Sequence, residues 1–132
     1  MLPLLVKGIL TAEDAQSALE HGVDGIIVSN HGGRQLDGAV PALVALSEVV
    51  DAVAGGCPVL VDGSVRSGRD VFVALALGAT AVLVGRPVLW GLAVSGAEGV
   101  AEVLGMLTRE LTQVMALAGR PRLDDIDRSA LV

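Results

Sequence analysis

The chain has 132 residues, 52% of them hydrophobic and 18% charged, with 15 acidic against 9 basic side chains and a net charge of −6. That is the balance of one soluble domain, and it excludes a nucleic-acid surface, because phosphate neutralisation needs clustered Lys and Arg. A single Cys excludes an internal disulfide framework and a Cys-based zinc site and fits a reducing, cytoplasmic compartment, while one Trp and no Tyr exclude an aromatic platform for single-stranded nucleic acid.

Along the chain, Met1-Leu2-Pro3 offers no basic segment ahead of an apolar core, so no secretory signal is expected. Four short apolar runs follow: Leu4-Leu5-Val6, Gly25-Ile26-Ile27-Val28, Pro58-Val59-Leu60-Val61 and Ala81-Val82-Leu83-Val84. They are continuous and rich in β-branched residues, as strands covered on both faces are. Each is followed by a polar or Gly-rich turn and an amphipathic segment, the pattern of strand-loop-helix units feeding a parallel sheet. Thr11 with Asp14, and Ser67 with Asp70, predict capped helix starts. Gly22, Gly55 and Gly78 predict helix ends. Pro41 stands at a first helical position, after which Leu43, Leu46, Val50 and Val53 form one face. The stretch Val71 to Gly85, broken at Gly78 and closed by Arg86, falls short of the about 20 apolar residues of a membrane span. A last stripe, Val100, Val103, Leu104, Leu107, Leu111, Val114, Met115 and Ala118, ends at Gly119, and a charged tail runs from Arg120 to Arg128. Residues 1–132 thus read as one compact α/β domain without linkers.

In parallel α/β architectures, binding groups gather on the loops that leave the carboxyl ends of strands. Lys7 ends the first strand, Ser29-Asn30-His31-Gly32-Gly33-Arg34 follows the second, Asp62-Gly63-Ser64-Val65-Arg66 follows the third and Gly85-Arg86 the fourth. Gly63 and Gly85 allow close backbone approach, Arg66 and Arg86 supply planar charged donors, and Ser67 opens a helix whose amino end favours an anion. Together they predict a phosphate cradle, against the plainer reading of tight turns and solvated arginines. Gly63 to Gly68 has P-loop spacing, but Arg69-Asp70 replaces the required Lys and Ser/Thr, and no G-x-G-x-x-G occurs. His31 is a candidate general base because imidazole titrates near neutrality. Arg34 can clamp a carboxylate through two parallel hydrogen bonds. Lys7 is either a surface lysine or a charge aimed into the site, and its place at a strand end favours the latter. Asp62 reads equally as a turn-former or as the partner of a sugar or ribityl hydroxyl. His21, at a helix end, is given no function. Cys57 reads as a small buried hydrophobe, and Trp90 as a packing residue.

The run Ser29-Asn30-His31-Gly32-Gly33-Arg34-Gln35-Leu36-Asp37, with Asp62-Gly63-Ser64-Val65-Arg66-Ser67-Gly68-Arg69-Asp70-Val71, Leu75-Ala76-Leu77-Gly78-Ala79 and Gly85-Arg86-Pro87, resembles the FMN-dependent α-hydroxy acid oxidases and dehydrogenases. The His-and-Arg loop is the specific part; the phosphate loops are shared more widely among FMN-binding barrels. The resemblance implies oxidation of a small L-2-hydroxy acid to the 2-oxo acid. It makes His31 the base, acting on carbon or on the hydroxyl, and Arg34 the holder of the substrate carboxylate. It places Lys7 and Ser29 against the flavin, and Asp62, Gly63, Ser64, Val65, Arg66, Gly85 and Arg86 around the ribityl chain and phosphate. Ser64 departs from the family, which commonly has a second Gly there.

The fold implied is a TIM (β/α)8 barrel, which takes about 250 residues and eight units, of which this chain supplies the last four. The tyrosines near the substrate, and the carboxylate that partners the catalytic His, belong to the other half in that family. Four parallel strands cannot close, so the half-barrel is expected to self-associate or to pair with an amino-terminal half. A non-catalytic FMN- or phosphate-binding half-barrel is the alternative. Another FMN barrel enzyme, such as an isomerase, is disfavoured by the His-Gly-Gly-Arg loop.

Overall fold

The computed structural model describes residues 2–131; Met1 and Val132, the ends of the expected 1–132 domain, lie outside the described residues. Four strands, β1 (Leu5–Ile9), β2 (Gly25–Val28), β3 (Val59–Asp62) and β4 (Ala81–Leu83), form one parallel sheet in the order β1-β2-β3-β4. Strict sequential order without reversal is that of a β/α barrel and not of a doubly wound sheet. Four helices alternate with them: α1 (Ala12–Glu20), α2 (Ala42–Val53), α3 (Gly68–Ala76) and α4 (Arg86–Leu117). The architecture is a half-barrel of four βα units.

Sheet register assigns the faces. Lys7 pairs with Ile27, Ile27 with Leu60 and Leu60 with Ala81, so Leu5, Lys7, Gly25, Ile27, Leu60, Asp62, Ala81 and Leu83 share one face. On the other, Ile26, Val28, Val59 and Val61 are buried with Ala45, Leu46, Val49 and Val53 of α2, Ala15 of α1 and Ala74 of α3. Burying the valine, isoleucine and leucine side chains of this set, each worth about 1.5–3 kcal/mol, holds the helices to the sheet.

Elements depart from sequence expectation in instructive ways. β1 begins later and runs through Lys7, which therefore lies within the strand and not at its end. α2 starts one residue after Pro41, which serves as its extended N-cap, and its buried face is rotated toward Ala42, Ala45 and Val49, leaving Leu43 exposed. Alanine was the overlooked signal, because its small side chain lets a helix sit close to the sheet. α1 and α3 close before Gly22 and Gly78 as expected, whereas α2 closes on Ala54 at a left-handed φ of 48°, one residue before Gly55. Cys57 is half-buried beside the core, and burial pushes its thiol up, as suits an inert hydrophobe.

Helix α4 begins directly at Arg86, where the sequence suggested only a loop. Its 32 residues are long and apolar enough by composition to cross a membrane. The helix is not one rod, however: Ser95 (φ −143°, ψ 26°) and Gly96 (φ 59°, ψ −138°) reverse the chain between limbs 86–94 and 97–117. Beyond it the charged tail packs back on the outside. Ile126 is buried against Phe72 and Ala76 of α3, and Arg128 makes a forked pair with Asp51 of α2 (2.7 and 3.2 Å).

Candidate functional site

A cleft of ≈ 440 Å³ opens at the carboxyl ends of the strands. Ten of the predicted site residues line it: Lys7, His31, Arg34, Asp62, Gly63, Ser64, Val65, Arg66, Gly85 and Arg86. The eleventh, Ser29, is fully buried and lies outside that lining.

The floor is built by β1 to β3. Lys7 and Asp62 come from strands separated by β2 but share a sheet face, and their side chains meet at 2.8 Å (Nζ to Oδ2). Lys7 also donates to the Ser29 hydroxyl at 2.8 Å, and the Ser29 hydroxyl accepts from the His31 amide at 3.0 Å. Ser29 thus ties the lysine of one strand to the turn that carries His31. An ammonium has three protons to donate, and two are committed here, which leaves one for the cleft. Asp62 Oδ1 is buried and, among the described residues, has no hydrogen-bond partner. A buried carboxylate oxygen without a donor is costly, so this atom calls for a donor from whatever fills the cleft.

His31 opens a short 3₁₀ turn, His31–Gly33, with a φ of 56° of its own and left-handed glycines behind it. Arg34 follows at the end of the turn, so the two side chains of the motif project from one tight loop into one cleft. Among the described residues no carboxylate pairs with His31.

Gly8 was not singled out in the sequence. The register slips between Lys7↔Ile27 and Ile9↔Val28, making Gly8 the extra residue of a β-bulge with a φ of +112°. A Cβ at Gly8 would stand 3.0 Å from His31 Nε2, so the absent side chain is the space the imidazole occupies. The bulge also turns Ile9 into the core while Lys7 faces the cleft. A Gly immediately after a candidate functional lysine, within an apolar strand, was the available signal.

The anion-binding expectation divides unevenly between two helices. The amino end of α3 is largely occupied: Asp70 accepts from the amides of Arg66 and Ser67 (both 2.9 Å), the Ser67 hydroxyl accepts from Asp70 N, and Glu110 of α4 accepts from Gly68 N at 2.8 Å. Burial pushes the Asp70 carboxyl up, but these amides, the Ser67 hydroxyl and nearby Arg69 outweigh it and hold the group below the ordinary range. The amino end of α4 differs: its N-cap, Gly85, supplies no side-chain acceptor, and Gly85, Arg86 and Pro87 all line the cleft. The positive end of a helix without its own cap is where an anion is stabilised.

Gly63 and Ser64 both have left-handed backbone (φ 97° and 60°), so the serine holds a conformation suited to glycine. The Arg66 guanidinium lies 4.8 Å from the centre of the Trp90 ring. Trp90 is more than half exposed, so it is no core residue; it forms an aromatic rest for an arginine of the cleft.

Known proteins share much of this sequence and its fold. The chain is 61% identical over 128 residues to a peroxisomal (S)-2-hydroxyacid oxidase of Arabidopsis thaliana, which covers 97% of this chain and 35% of that protein. It is 58% identical over 130 residues to an L-lactate oxidase of Nostoc, covering 98% and 36%. A mandelate oxidase structure solved with 3,3-difluoro-2-hydroxy-3-phenylpropionic acid superposes with a TM-score of 0.93 at 57% identity, over 96% of this chain and 38% of that one. Another, a mandelate oxidase variant with a monooxide FMN adduct, gives 0.91 at 58% identity, over 93% and 39%. The chain therefore spans a little over a third of the length of the relatives it matches. The profile of the FMN-dependent dehydrogenases matches residues 1–132, and the chain belongs to that family.

Proposed function

We propose that this chain forms the FMN and substrate-carboxylate half of an enzyme that oxidises small (S)-2-hydroxy acids to 2-oxo acids. One observation carries the reading: residues from four separate βα units, Lys7, His31, Arg34, Asp62, Arg66 and Arg86, converge on one cleft with a base, a carboxylate clamp and an anion seat. The cleft suits FMN in particular. The unpartnered Asp62 Oδ1 would accept from a ribityl hydroxyl, the third proton of Lys7 would reach the electron-rich edge of the flavin, and the uncapped end of α4 with Arg86 would hold the phosphate.

Oxidising a 2-hydroxy acid removes two electrons and two protons. Bound FMN supplies the electron sink. Arg34 pairs with the carboxylate and fixes which face of the acid meets His31. His31 Nε2, seated against Gly8, takes a substrate proton, and Lys7 offers positive charge where negative charge develops.

Flavin titration followed by anaerobic addition of (S)-lactate tests this. Expected are quenched, bound FMN and then bleaching of the flavin band, abolished in His31→Gln with FMN still bound. Failure to bind FMN overturns the proposal. Bound flavin that never bleaches favours the second reading, a non-catalytic flavin-binding half-barrel. The observation on that side is that His31 is exposed and lacks an orienting carboxylate among the described residues, which forfeits positioning.

A further inference from the structure

The two limbs of α4 cross backbone on backbone. A Cβ at Gly91 would fall on the carbonyl oxygen of Gly99 and within 2.9 Å of Val103 Cγ2, and a Cβ at Gly99 would fall on the carbonyl oxygen of Gly91. Both glycines are buried, and the reversal at Ser95 and Gly96 lies between them. Such an approach leaves no volume for any side chain, and a packed interior does not yield by an ångström.

The crossing fixes the direction of limb 86–94. Its far end is the amino terminus at Gly85, with Pro87 buried beside it. Of the two helices that start at the cleft, α3 has the amides of Ser67, Gly68 and Asp70 taken by Asp70, Glu110 and Ser67, whereas α4 has no side-chain cap among the described residues. The field of a helix end fades within about one turn, so tilting the short limb would move the anion seat off its target.

We infer that Gly91 and Gly99 are positioning residues of the anion site, their crossing aiming the amino end of α4 into the cleft. The inference rests on the reading of that end as the FMN phosphate seat. It assigns a binding role to two buried residues that do not line the cleft.

FMN and riboflavin differ only by the phosphate, so titrating the whole chain with both isolates the seat. The wild-type chain is expected to prefer FMN. Gly99→Ala is expected to weaken FMN by about tenfold while leaving riboflavin unchanged, since a charge-assisted contact at a helix end is what it misplaces. Gly96→Ala provides a milder variant: the position is exposed, nothing crowds its Cβ, and its φ of +59° strains an alanine in the reversal itself. It too should lower the preference, with circular dichroism verifying the fold; if Gly99→Ala does not fold, Gly96→Ala decides. An unchanged FMN-to-riboflavin ratio, or equal losses for both, overturns the positioning role while leaving the phosphate seat in place. A wild-type chain with no preference overturns the seat, and the inference with it.

Discussion

At Gly8 a φ of +112° lies where L side chains are strained, and a Cβ would stand 3.0 Å from His31 Nε2, so an alanine meets a backbone cost and a collision together. Gly8→Ala should therefore lower unfolding stability by about 1–3 kcal/mol. In a His31→Ala background only the backbone cost remains, and the loss should shrink; urea unfolding of the four proteins measures the coupling. Equal losses in both backgrounds would show that the imidazole does not rest there. The histidine and arginine of the same site were legible in the sequence because their turn is local: Asn30 to Arg34 specify a tight loop through adjacent residues. Gly8 was less so, because its bulge exists only in the register between β1 and β2, and register is a property of two segments. Ser64 likewise showed its departure from the family in sequence, but not that its backbone would be left-handed.

The elements repeat that division between local and distant causes. The existence of the four strands, the Thr11 and Ser67 caps and the close of α4 just before Gly119 follow from neighbouring residues, and all were readable. That the first amide of α3 is already taken was not, because Glu110, which accepts from Gly68 N, lies 42 residues away. The Asp70 cap carries a pH signature. Its carboxyl is held below the ordinary range in the folded chain, so its stabilisation is fully present above the unfolded value of about 3.9 and is lost as pH falls through the lower folded value. Asp70→Asn should cost about 1 kcal/mol near neutrality. The difference from wild type should narrow as denaturation is repeated below pH ~4. A gap that persists unchanged into strong acid would show that the cap does not depend on charge.

At the scale of the molecule, among the described residues, the sheet ends at β1 and β4, each hydrogen-bonded to one neighbour, and the face bearing Leu5, Leu60, Ala81 and Leu83 has no helix layer over it. Leu4, Leu89, Trp90 and Leu92 are each more than half exposed nearby in the chain. Open edges beside exposed apolar side chains seek a partner, so the chain on its own is expected to run as a dimer or larger species. Light scattering on a sizing column checks this, and a monodisperse monomer would contradict it. The tail described above bears on a different property, the order in which the fold comes apart. By laying Ile126 on α3 and clasping Asp51 of α2 with Arg128, it straps the second, third and fourth units together from outside, whereas β1 and α1 are held by their pairing with β2 and α2 and by the Lys7–Asp62 contact. Transient opening of the native state is expected to begin with the first unit, and native-state hydrogen exchange of the β1 amides faster than those of β3 would show it. That unit carries Lys7 and Gly8, so such an opening would take the lysine and the seat of the imidazole from the cleft while the rest of the half-barrel stays folded.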